Sequence, residues 1–100
     1  MPAFEGVYAA AITPRRGAAE ADLAALWALF DFLAARGLDG LVLMGSTGEF
    51  VHFSLDERIR MMGLAVKRSR LPLLINVSHT TLDGALELAQ AATGAGAAGT

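Results

Sequence analysis

Short apolar runs alternate along the chain with longer stretches in which apolar residues recur at helical spacing. Three runs have the length and composition of buried strands: GVYAAAIT at 6–13, GLVLMG at 40–45 and PLLINVS at 72–78. Three stretches have the period of amphipathic helices: Glu20 to Arg36, the segment that follows Ser54, and Thr81 to about Thr93. The pattern therefore predicts the order β, α, β, α, β, α, with AAGT at 97–100 as the start of a fourth strand.

Local signals mark where the predicted helices begin and end. Gly37 follows the first helical stretch, in a position where glycine commonly terminates a helix. Ser54 and Glu57 have the spacing of a capping box, in which each side chain accepts a hydrogen bond from the backbone N–H of the other residue. Pro72 follows the second stretch and cannot continue it. These signals place the second helix between Ser54 and Pro72.

The spacing of the strands predicts how they pair. They begin roughly 33 residues apart, which leaves room for a helical crossover between successive strands, and such crossovers join parallel strands. The strands are apolar on both faces, so both faces of the sheet must be covered, either by helices on two sides or by closure into a barrel. Three βα units alone achieve neither. We therefore expect residues 1–100 to be the amino-terminal part of a longer chain, or else a fragment that needs partners.

Composition and charge narrow the possible functions. Hydrophobic residues make up 54% of the chain and charged residues 18%, which is typical of a packed globular domain. The chain contains no cysteine, which excludes disulfides, thiol catalysis and cysteine-ligated zinc. Its formal net charge is -2 and it has no dense basic cluster, so nucleic acid is not an expected partner. No apolar stretch approaches the ~20 residues that span a bilayer, and the amino terminus lacks a secretion signal, so we expect no membrane partner and a cytoplasmic location.

The sequence GSTGEF at 45–50 lies between the second predicted strand and the helix that follows Ser54. It therefore occupies the carboxyl edge of a parallel strand, where both barrels and open α/β sheets bind ligands. Gly45 and Gly48 allow the backbone to turn tightly and to approach a ligand, while Ser46 and Thr47 offer two hydroxyls and two N–H groups. Such a loop suits a carboxylate or a phosphate. The alternative is an ordinary tight turn, in which the two hydroxyls bond their own backbone.

Other polar residues near this edge have less specific interpretations. The loop is not a Walker A motif, because no lysine follows Gly48, and its glycine spacing differs from the dinucleotide-binding fingerprint. His52 and His79 follow the second and third strands without a carboxylate cluster, so we predict no metal site. His79 and Asn76 are candidates either for a substrate pocket or for a polar strand end. Glu49 is expected to fix the loop through backbone or arginine contacts rather than to act as a general base.

Four segments of the chain together resemble the start of a known family. They are GVYAAAITP at 6–14, DGLVLMGSTGEF at 39–50, SLDER at 54–58 and PLLINVS at 72–78. In order and spacing they are similar to the opening of the dihydrodipicolinate synthase and N-acetylneuraminate lyase family, and the G-[ST]-T-G-E loop is the most specific element. The resemblance implies a TIM (β/α)8 barrel, an α/β fold of roughly 300 residues. Residues 1–100 would supply about the first three βα units of this single domain.

The resemblance also implies an activity. Members of the family are class I aldolases, lyases or dehydratases that bind pyruvate or another 2-oxo acid as a Schiff base on a lysine, and no cofactor is expected. By resemblance, Thr47 would hold the substrate carboxylate through its side chain and N–H group, and Ser46 would pass a proton between the reacting centre and a tyrosine from a later strand. Gly45 and Gly48 would shape this substrate-binding loop. Family members are usually homotetramers, so a homo-oligomer is expected.

Some residues depart from the family pattern or cannot fill its catalytic roles. The family's first-strand motif reads T-P-F, whereas this chain has Thr13-Pro14-Arg15. Lys67, which is the only lysine, falls near the carboxyl end of the second helix, where it would complement the helix dipole rather than form a Schiff base. Tyr8 lies within the first strand and is expected in the core or the barrel interior rather than in catalysis.

Two functions of different classes are compatible with these observations. The first is a Schiff-base lyase of the dihydrodipicolinate synthase type, with this chain as its amino-terminal third. Residues 1–100 alone are then expected to be inactive, because the reactive lysine and the catalytic tyrosine belong to later strands. The second is a non-catalytic remnant or a small-carboxylate binding module with the same fold. The two differ in whether a lysine and a tyrosine follow at the ends of later strands.

Overall fold

The computed structural model describes residues 5–17 and 20–100. In chain order its elements are β1 (Tyr8–Ala10), β2 (Arg15–Arg16), β3 (Glu20–Ala21), α1 (Leu23–Ala35), β4 (Gly40–Leu43), a 3-10 turn (Phe50–His52), α2 (Leu55–Arg68), β5 (Leu73–Ile75) and α3 (Leu82–Ala95). None of the helices in these ranges has the length and apolarity that crossing a bilayer requires. The predicted alternation of strands and helices is confirmed.

The central element is a three-stranded parallel sheet in the order β1-β4-β5. Helix α1 connects β1 to β4, and α2 connects β4 to β5, so each helix is the crossover that parallel pairing requires. A parallel bridge between Leu74 and Gly99 adds the predicted fourth strand as a single contact beside β5. The order of strands in space therefore follows their order in the chain, without reversal.

The hydrophobic core lies between one face of this sheet and the helices. The sheet contributes alternate residues of β4 and β5, each at most 3% exposed: Leu41, Leu43, Leu73 and Ile75. The helices contribute the side chains of Leu26, Phe30, Met61, Met62, Ala65, Leu88 and Ala92. Because strand residues alternate between faces, Tyr8, Val42 and Leu74 lie on the opposite face, where they are only half-buried. The structure thus buries one apolar face of the sheet and leaves the other partly open.

The first helix begins later than the sequence pattern indicates. Glu20 and Ala21 form β3, which pairs antiparallel with β2 in a small hairpin, and α1 starts at Leu23. The Asp22 carboxylate accepts a hydrogen bond from the N–H of Ala25 at 3.1 Å and so caps the helix. The predicted start of this helix, at about Glu20, is therefore three residues too early, because Asp22 is the capping residue and the two residues before it pair with β2.

The predicted capping box of the second helix forms only in half. The Ser54 hydroxyl accepts a hydrogen bond from the N–H of Glu57 at 3.1 Å, as expected. The Glu57 carboxylate instead accepts from the N–H of Ala21 at 3.0 Å and from the guanidinium of Arg60 at 2.8 and 2.7 Å. Glu57 therefore ties the hairpin to α2, because a carboxylate can satisfy a buried strand N–H and an arginine at the same time.

This arrangement predicts a pH-dependent contribution to stability. The hydrogen bond from Arg60 lowers the pKa of Glu57, partial burial opposes this, and the N–H of Ala21 lowers the pKa further. A carboxyl whose pKa is lower in the folded state stabilises the fold above its unfolded pKa, and this stabilisation is lost as the pH falls. The unfolding free energy of the wild type should decrease between about pH 5 and pH 3, and we expect this decrease to be smaller in the Glu57→Gln variant. Urea unfolding at a series of pH values measures this.

The matched control for this prediction is Asp56→Asn. Asp56 is exposed and lies in the same first turn of α2, so the control removes the same charge without removing the link to the hairpin. We expect the Asp56→Asn variant to keep the acid dependence of the wild type. Equal flattening of the pH profile in both variants would show that helix charge, and not the Ala21 and Arg60 contacts, causes the effect.

Candidate functional site

The loop GSTGEF emerges from the carboxyl end of β4 and leads into α2, as the sequence pattern predicts. Ser46 and Thr47 are both exposed. Within residues 5–17 and 20–100, neither hydroxyl makes a hydrogen bond, and the N–H groups of Ser46 and Thr47 donate to no protein acceptor. The structure therefore differs from an ordinary turn whose hydroxyls bond their own backbone. Two hydroxyls and two N–H groups are available to a ligand at this edge.

The backbone of the loop turns at residues that flank the two glycines. Met44 has φ 59° and Glu49 has φ 57°, both in the left-handed region, whereas neither Gly45 nor Gly48 has a positive φ. The turn is closed by hydrogen bonds from the N–H of Glu49 to the oxygen of Ser46, at 3.0 Å, and from the N–H of Phe50 to the oxygen of Gly45, at 3.4 Å. The left-handed conformations of this loop therefore occur beside the two glycines and not at them. Two non-glycine residues carry this strain, which typically costs about 1 kcal/mol or more each.

Gly48 is required for another reason, which is close packing of the backbone. A Cβ at this position would lie 3.1 Å from the carbonyl oxygen of Ala11 and 3.1 Å from the backbone N and Cα of Met44. These are main-chain atoms of the strand ends, and they cannot move aside as a flexible side chain can. At Gly45 the nearest atom, Cγ1 of Val42, would be 3.9 Å away, which is an ordinary contact.

We therefore expect the Gly48→Ala variant to lose about 1–3 kcal/mol of unfolding free energy, the typical cost of overpacking. The matched control is Gly63→Ala within α2, where a Cβ would meet no atom within 4 Å. In a helix interior alanine is favoured over glycine, so this control should gain about 0.5–1 kcal/mol. Urea denaturation of both variants measures the difference. A Gly48→Ala variant as stable as the wild type would contradict the close approach of these main-chain atoms.

Met44 is held at both its side chain and its carbonyl. Its side chain is completely buried, and its Sδ accepts a hydrogen bond from the Thr13 hydroxyl at 3.5 Å. Its carbonyl oxygen accepts from Nδ2 of Asn76, which lies just beyond β5, at 2.9 Å. Asn76 therefore links the ends of the two neighbouring strands.

Arg58 is the most notable residue that sequence reasoning did not single out for a role. It is only 3% exposed, and its guanidinium donates to the carbonyl oxygens of Ser78 at 2.7 Å and Asn76 at 2.8 Å. The same group lies over the ring of Phe50, 5.0 Å from its centroid, which is a cation–π contact. Burial lowers the pKa of Arg58, and its Nε has no hydrogen-bond partner among the described residues. The sequence signal that could have identified this residue is the arginine of SLDER at 54–58, because it lies on the buried side of the second helix.

A pocket of about 170 Å³ lies between the end of the loop and the segment that follows β5. Its lining consists of Phe50, Val51, Phe53, Arg58, Ser78, His79 and Thr80. Ser46, Thr47 and Asn76 do not line it, so it is separate from the hydroxyl-bearing turn. Of His79 and Asn76, the two candidates for a substrate pocket or a strand end, His79 lines this pocket.

His79 also has a local structural role at the start of α3. The N–H of Thr81 donates to Nδ1 of His79 at 3.2 Å, which requires that nitrogen to be an acceptor. The Thr81 hydroxyl in turn accepts from the N–H of Gly84 at 3.0 Å and caps the helix. Gly84 leaves room for the imidazole, because a Cβ there would overlap Nδ1 of His79. His79 is therefore a packing residue of this junction.

Glu49 contacts an arginine, as predicted. Its Oε1 lies 3.6 Å from a guanidinium nitrogen of Arg15 and 3.9 Å from Nε2 of His52. Arg15 follows Thr13-Pro14 at the end of the first strand segment, so this arginine brings a charged group to the loop. The described ranges contain no cluster of three or more side chains that could hold a metal ion.

Lys67 and Tyr8 lie away from this loop. Lys67 is exposed in the last turn of α2, and this turn lies at the opposite edge of the sheet because it leads into the start of β5. The neighbouring Arg68 does more than complement the helix dipole, since it donates two hydrogen bonds to Asp31 of α1, at 3.0 and 2.7 Å. Tyr8 begins β1, and its ring packs across Gly40, where a Cβ would overlap the ring. Tyr8 pairs with Gly40 at the start of β4, whereas Ser46 follows the end of that strand.

A parallel sheet whose neighbouring strands follow chain order, with a helical crossover between each pair, is the arrangement of a (β/α)8 barrel, and its ligand-binding loops lie at the carboxyl edge. This class is confirmed by comparison with known proteins. The chain belongs to the dihydrodipicolinate synthetase family, whose family model matches residues 3–100. It corresponds to the amino-terminal part of family members.

Two curated relatives illustrate the range of activities within this family. The chain is 34% identical over 96 residues to the 4-hydroxy-tetrahydrodipicolinate synthase of Herminiimonas arsenicoxydans, covering 94% of this chain and 33% of that protein. It is 37% identical over 95 residues to the N-acetylneuraminate lyase of Rhizobium meliloti (strain 1021), covering 93% and 32%. The chain therefore spans about one third of the length of the curated relatives it matches.

Solved structures show the same relationship. The dihydrodipicolinate synthase of Aquifex aeolicus superimposes with a TM-score of 0.89 at 31% identity, covering 96% of this chain and 33% of that one. A prophage protein of the dihydrodipicolinic acid synthase family from E. coli K12, solved in complex with pyruvate, has a TM-score of 0.88 at 33% identity, covering 94% and 32%. The 2-keto 3-deoxygluconate aldolase of Picrophilus torridus has a TM-score of 0.89 at 27% identity, covering 95% and 35%.

Proposed function

We propose that this chain is the amino-terminal third of a (β/α)8-barrel lyase of the dihydrodipicolinate synthase type, which acts on pyruvate or another 2-oxo acid through a Schiff base. The observation that carries the proposal is the turn at 45–48. It presents two exposed hydroxyls and two N–H groups that have no partner within residues 5–17 and 20–100, at the carboxyl edge of the sheet, in a chain that belongs to this family. The pyruvate complex of the E. coli relative supports the choice of substrate class.

In this proposal Thr47 holds the carboxylate of the 2-oxo acid. Its hydroxyl and its N–H group are both donors, and the N–H of Ser46 adds a third. Hydrogen bonds to an ionised acceptor are roughly twice as strong as neutral ones, so three such donors orient a small carboxylate without a neighbouring arginine. Holding the carboxylate fixes where the 2-oxo group lies.

Ser46 carries out the proton transfer in this proposal. A hydroxyl both donates and accepts, so it can receive a proton from one group as it gives its own to another. Family resemblance assigns the reactive lysine and the partner tyrosine to later strands, which are not among these residues. Lys67 is excluded because it lies at the opposite edge of the sheet. Residues 1–100 alone are accordingly expected to be inactive.

The test is the intact mass of the natively expressed protein, measured before and after incubation with pyruvate and borohydride. Attack of a lysine amine on the 2-oxo carbon, with loss of water, gives an imine, and borohydride reduces it to a stable secondary amine. We expect one reduced pyruvate adduct per chain, and none with lactate, which lacks the 2-oxo group. A protein that takes up no adduct would contradict the Schiff-base function.

A second function, a non-catalytic binding module for small carboxylates, is favoured by the same turn, since its donors would bind a carboxylate with or without later chemistry. Saturable pyruvate binding without a borohydride-trapped adduct would support it. The homotetramer and the cytoplasmic location remain predictions from the sequence. Sedimentation of the natively expressed protein tests the first of these.

A further inference from the structure

We propose that Asn76 is a positioning residue for the carboxylate-binding turn. Its side-chain amide holds the carbonyl of Met44, the residue directly before Gly45. This inference rests on the proposed function, because it assigns to Asn76 the task of placing Ser46 and Thr47 relative to a 2-oxo acid. Asn76 itself does not touch the substrate in this proposal.

The turn at 45–48 needs a stabilising contact from outside, because Met44, the residue directly before it, has an unfavourable backbone conformation. Met44 has φ 59°, and an unbranched side chain rarely adopts this left-handed backbone without support. Rotation at Met44 would redirect the whole segment that follows, including the hydroxyls of Ser46 and Thr47. The hydrogen bond of 2.9 Å from Asn76 to the Met44 carbonyl opposes this rotation directly.

The amide of Asn76 has only one orientation that satisfies its neighbours. Its Oδ1 accepts from the N–H of Ser78 at 3.3 Å and from the Ser78 hydroxyl at 2.9 Å. A backbone N–H can only donate, so the oxygen of the amide must face Ser78 and the nitrogen must face Met44. The side chain therefore acts as a donor toward the turn and as an acceptor toward its own strand end.

Arg58 fixes the backbone at Asn76 through hydrogen bonds to its carbonyl and to that of Ser78. Its guanidinium also lies over the ring of Phe50, which ends the GSTGEF segment. The segment is thus fixed at its start through Asn76 and at its end through Phe50. Both connections meet at Arg58, whose side chain contacts residues that follow β4 and residues that follow β5.

The sharpest test is the Asn76→Asp variant of the natively expressed protein. Aspartate has the same shape and still accepts from Ser78, but it cannot donate to Met44 and places a negative charge against that carbonyl. We expect the pyruvate concentration for half-maximal adduct formation to rise between about tenfold and about hundredfold, because small misplacements of a binding group cost up to that much. A variant that merely contains less folded protein would give less adduct at an unchanged half-saturating concentration.

Ser78→Ala is the matched control, because it removes one hydrogen bond of Asn76 and leaves the bond to Met44 in place. We expect its half-saturating pyruvate concentration to stay within about twofold of the wild type, as a surface hydroxyl contributes little. If Asn76→Asp does not fold, Arg58→Lys replaces it, because lysine keeps the charge but cannot bridge two carbonyls or stack as a plane. A half-saturating concentration unchanged in the folded variant would overturn the proposal.

Hydrogen exchange separates failure of this inference from failure of the proposed function. The N–H groups of Glu49 and Phe50 close the turn, so their exchange reports its order without any chemistry. If the wild type forms no pyruvate adduct, the Schiff-base function is wrong, and exchange alone decides the positioning role. Faster exchange of these two amides in Asn76→Asp, but not in Ser78→Ala, would support it, and equal exchange in both variants would contradict it.

Discussion

The Ser46→Ala variant is expected to turn over its 2-oxo acid about 10²–10³-fold more slowly than the wild type, with little change in the affinity for pyruvate. The reason is that a positioned proton-transfer group typically contributes about 10²–10⁴-fold to a rate, and alanine removes the hydroxyl without changing the backbone. The Ser46 hydroxyl is exposed and makes no hydrogen bond within the described ranges, so its loss should not destabilise the fold. Turnover is measured alongside the borohydride-trapped adduct.

The matched control is Ser46→Thr, which keeps a hydroxyl at the same atom position and still fits the G-[ST]-T-G-E pattern. We expect it to retain most of the turnover. The companion variant Thr47→Val keeps the shape of threonine but loses the hydroxyl, so it should weaken pyruvate binding by about tenfold or more, the typical value of a hydrogen bond to a charged group. If Ser46→Ala turns over as fast as Ser46→Thr, the proton-transfer role of Ser46 is wrong.

The Arg58→Met variant is expected to lose about 2–4 kcal/mol of unfolding free energy, because it leaves two carbonyl oxygens without their donors inside the protein. Methionine fills part of the space but offers no hydrogen, so the carbonyls of Asn76 and Ser78 lose bonds of 2.8 and 2.7 Å. The stacking contact with Phe50 is lost as well. Urea unfolding of the natively expressed protein measures the change.

Arg60→Met is the matched control on the same helix. The Arg60 side chain is 44% exposed and pairs with Glu57 three residues earlier, so its removal should cost no more than about 1 kcal/mol. The comparison separates the loss of an arginine from the loss of its buried contacts. Similar destabilisation by the two substitutions would show that the carbonyl bonds of Arg58 add little to stability.

Much of the fold could be predicted from the sequence because it depends on local patterns. Apolar runs and helical periodicity predicted the three strands and three helices, and the spacing between strands predicted parallel pairing. The starts of α2 and α3 were predicted at Ser54 and Thr81, whose hydroxyls cap these helices. The start of α1 was misplaced, because the pairing of β3 with β2 is a contact between chain segments that helical periodicity does not record.

The position of the candidate site could be predicted from the sequence, but the contacts that hold it in place could not. The glycines and hydroxyls of 45–48 predicted a ligand loop, and this segment does lie at the carboxyl edge of β4. The sequence did not predict the left-handed conformations of Met44 and Glu49 or the close packing at Gly48. Arg58 and Asn76 were not recognised as supports of the loop. Their partners are backbone carbonyls, and a carbonyl has the same chemistry at every residue, so no sequence pattern marks it.

The sequence by itself determined the order of strands and helices, the family, and the placement of Ser46 and Thr47 at the carboxyl edge of the sheet, because periodicity and a short loop motif are local properties of the chain. The tertiary structure alone decided which groups hold that loop. Only there does Asn76 meet the carbonyl of Met44, and only there does Arg58 span the end of β5 and the ring of Phe50. These contacts join residues 8 to 32 positions apart in the chain, and folding is what brings them within hydrogen-bonding and stacking distance.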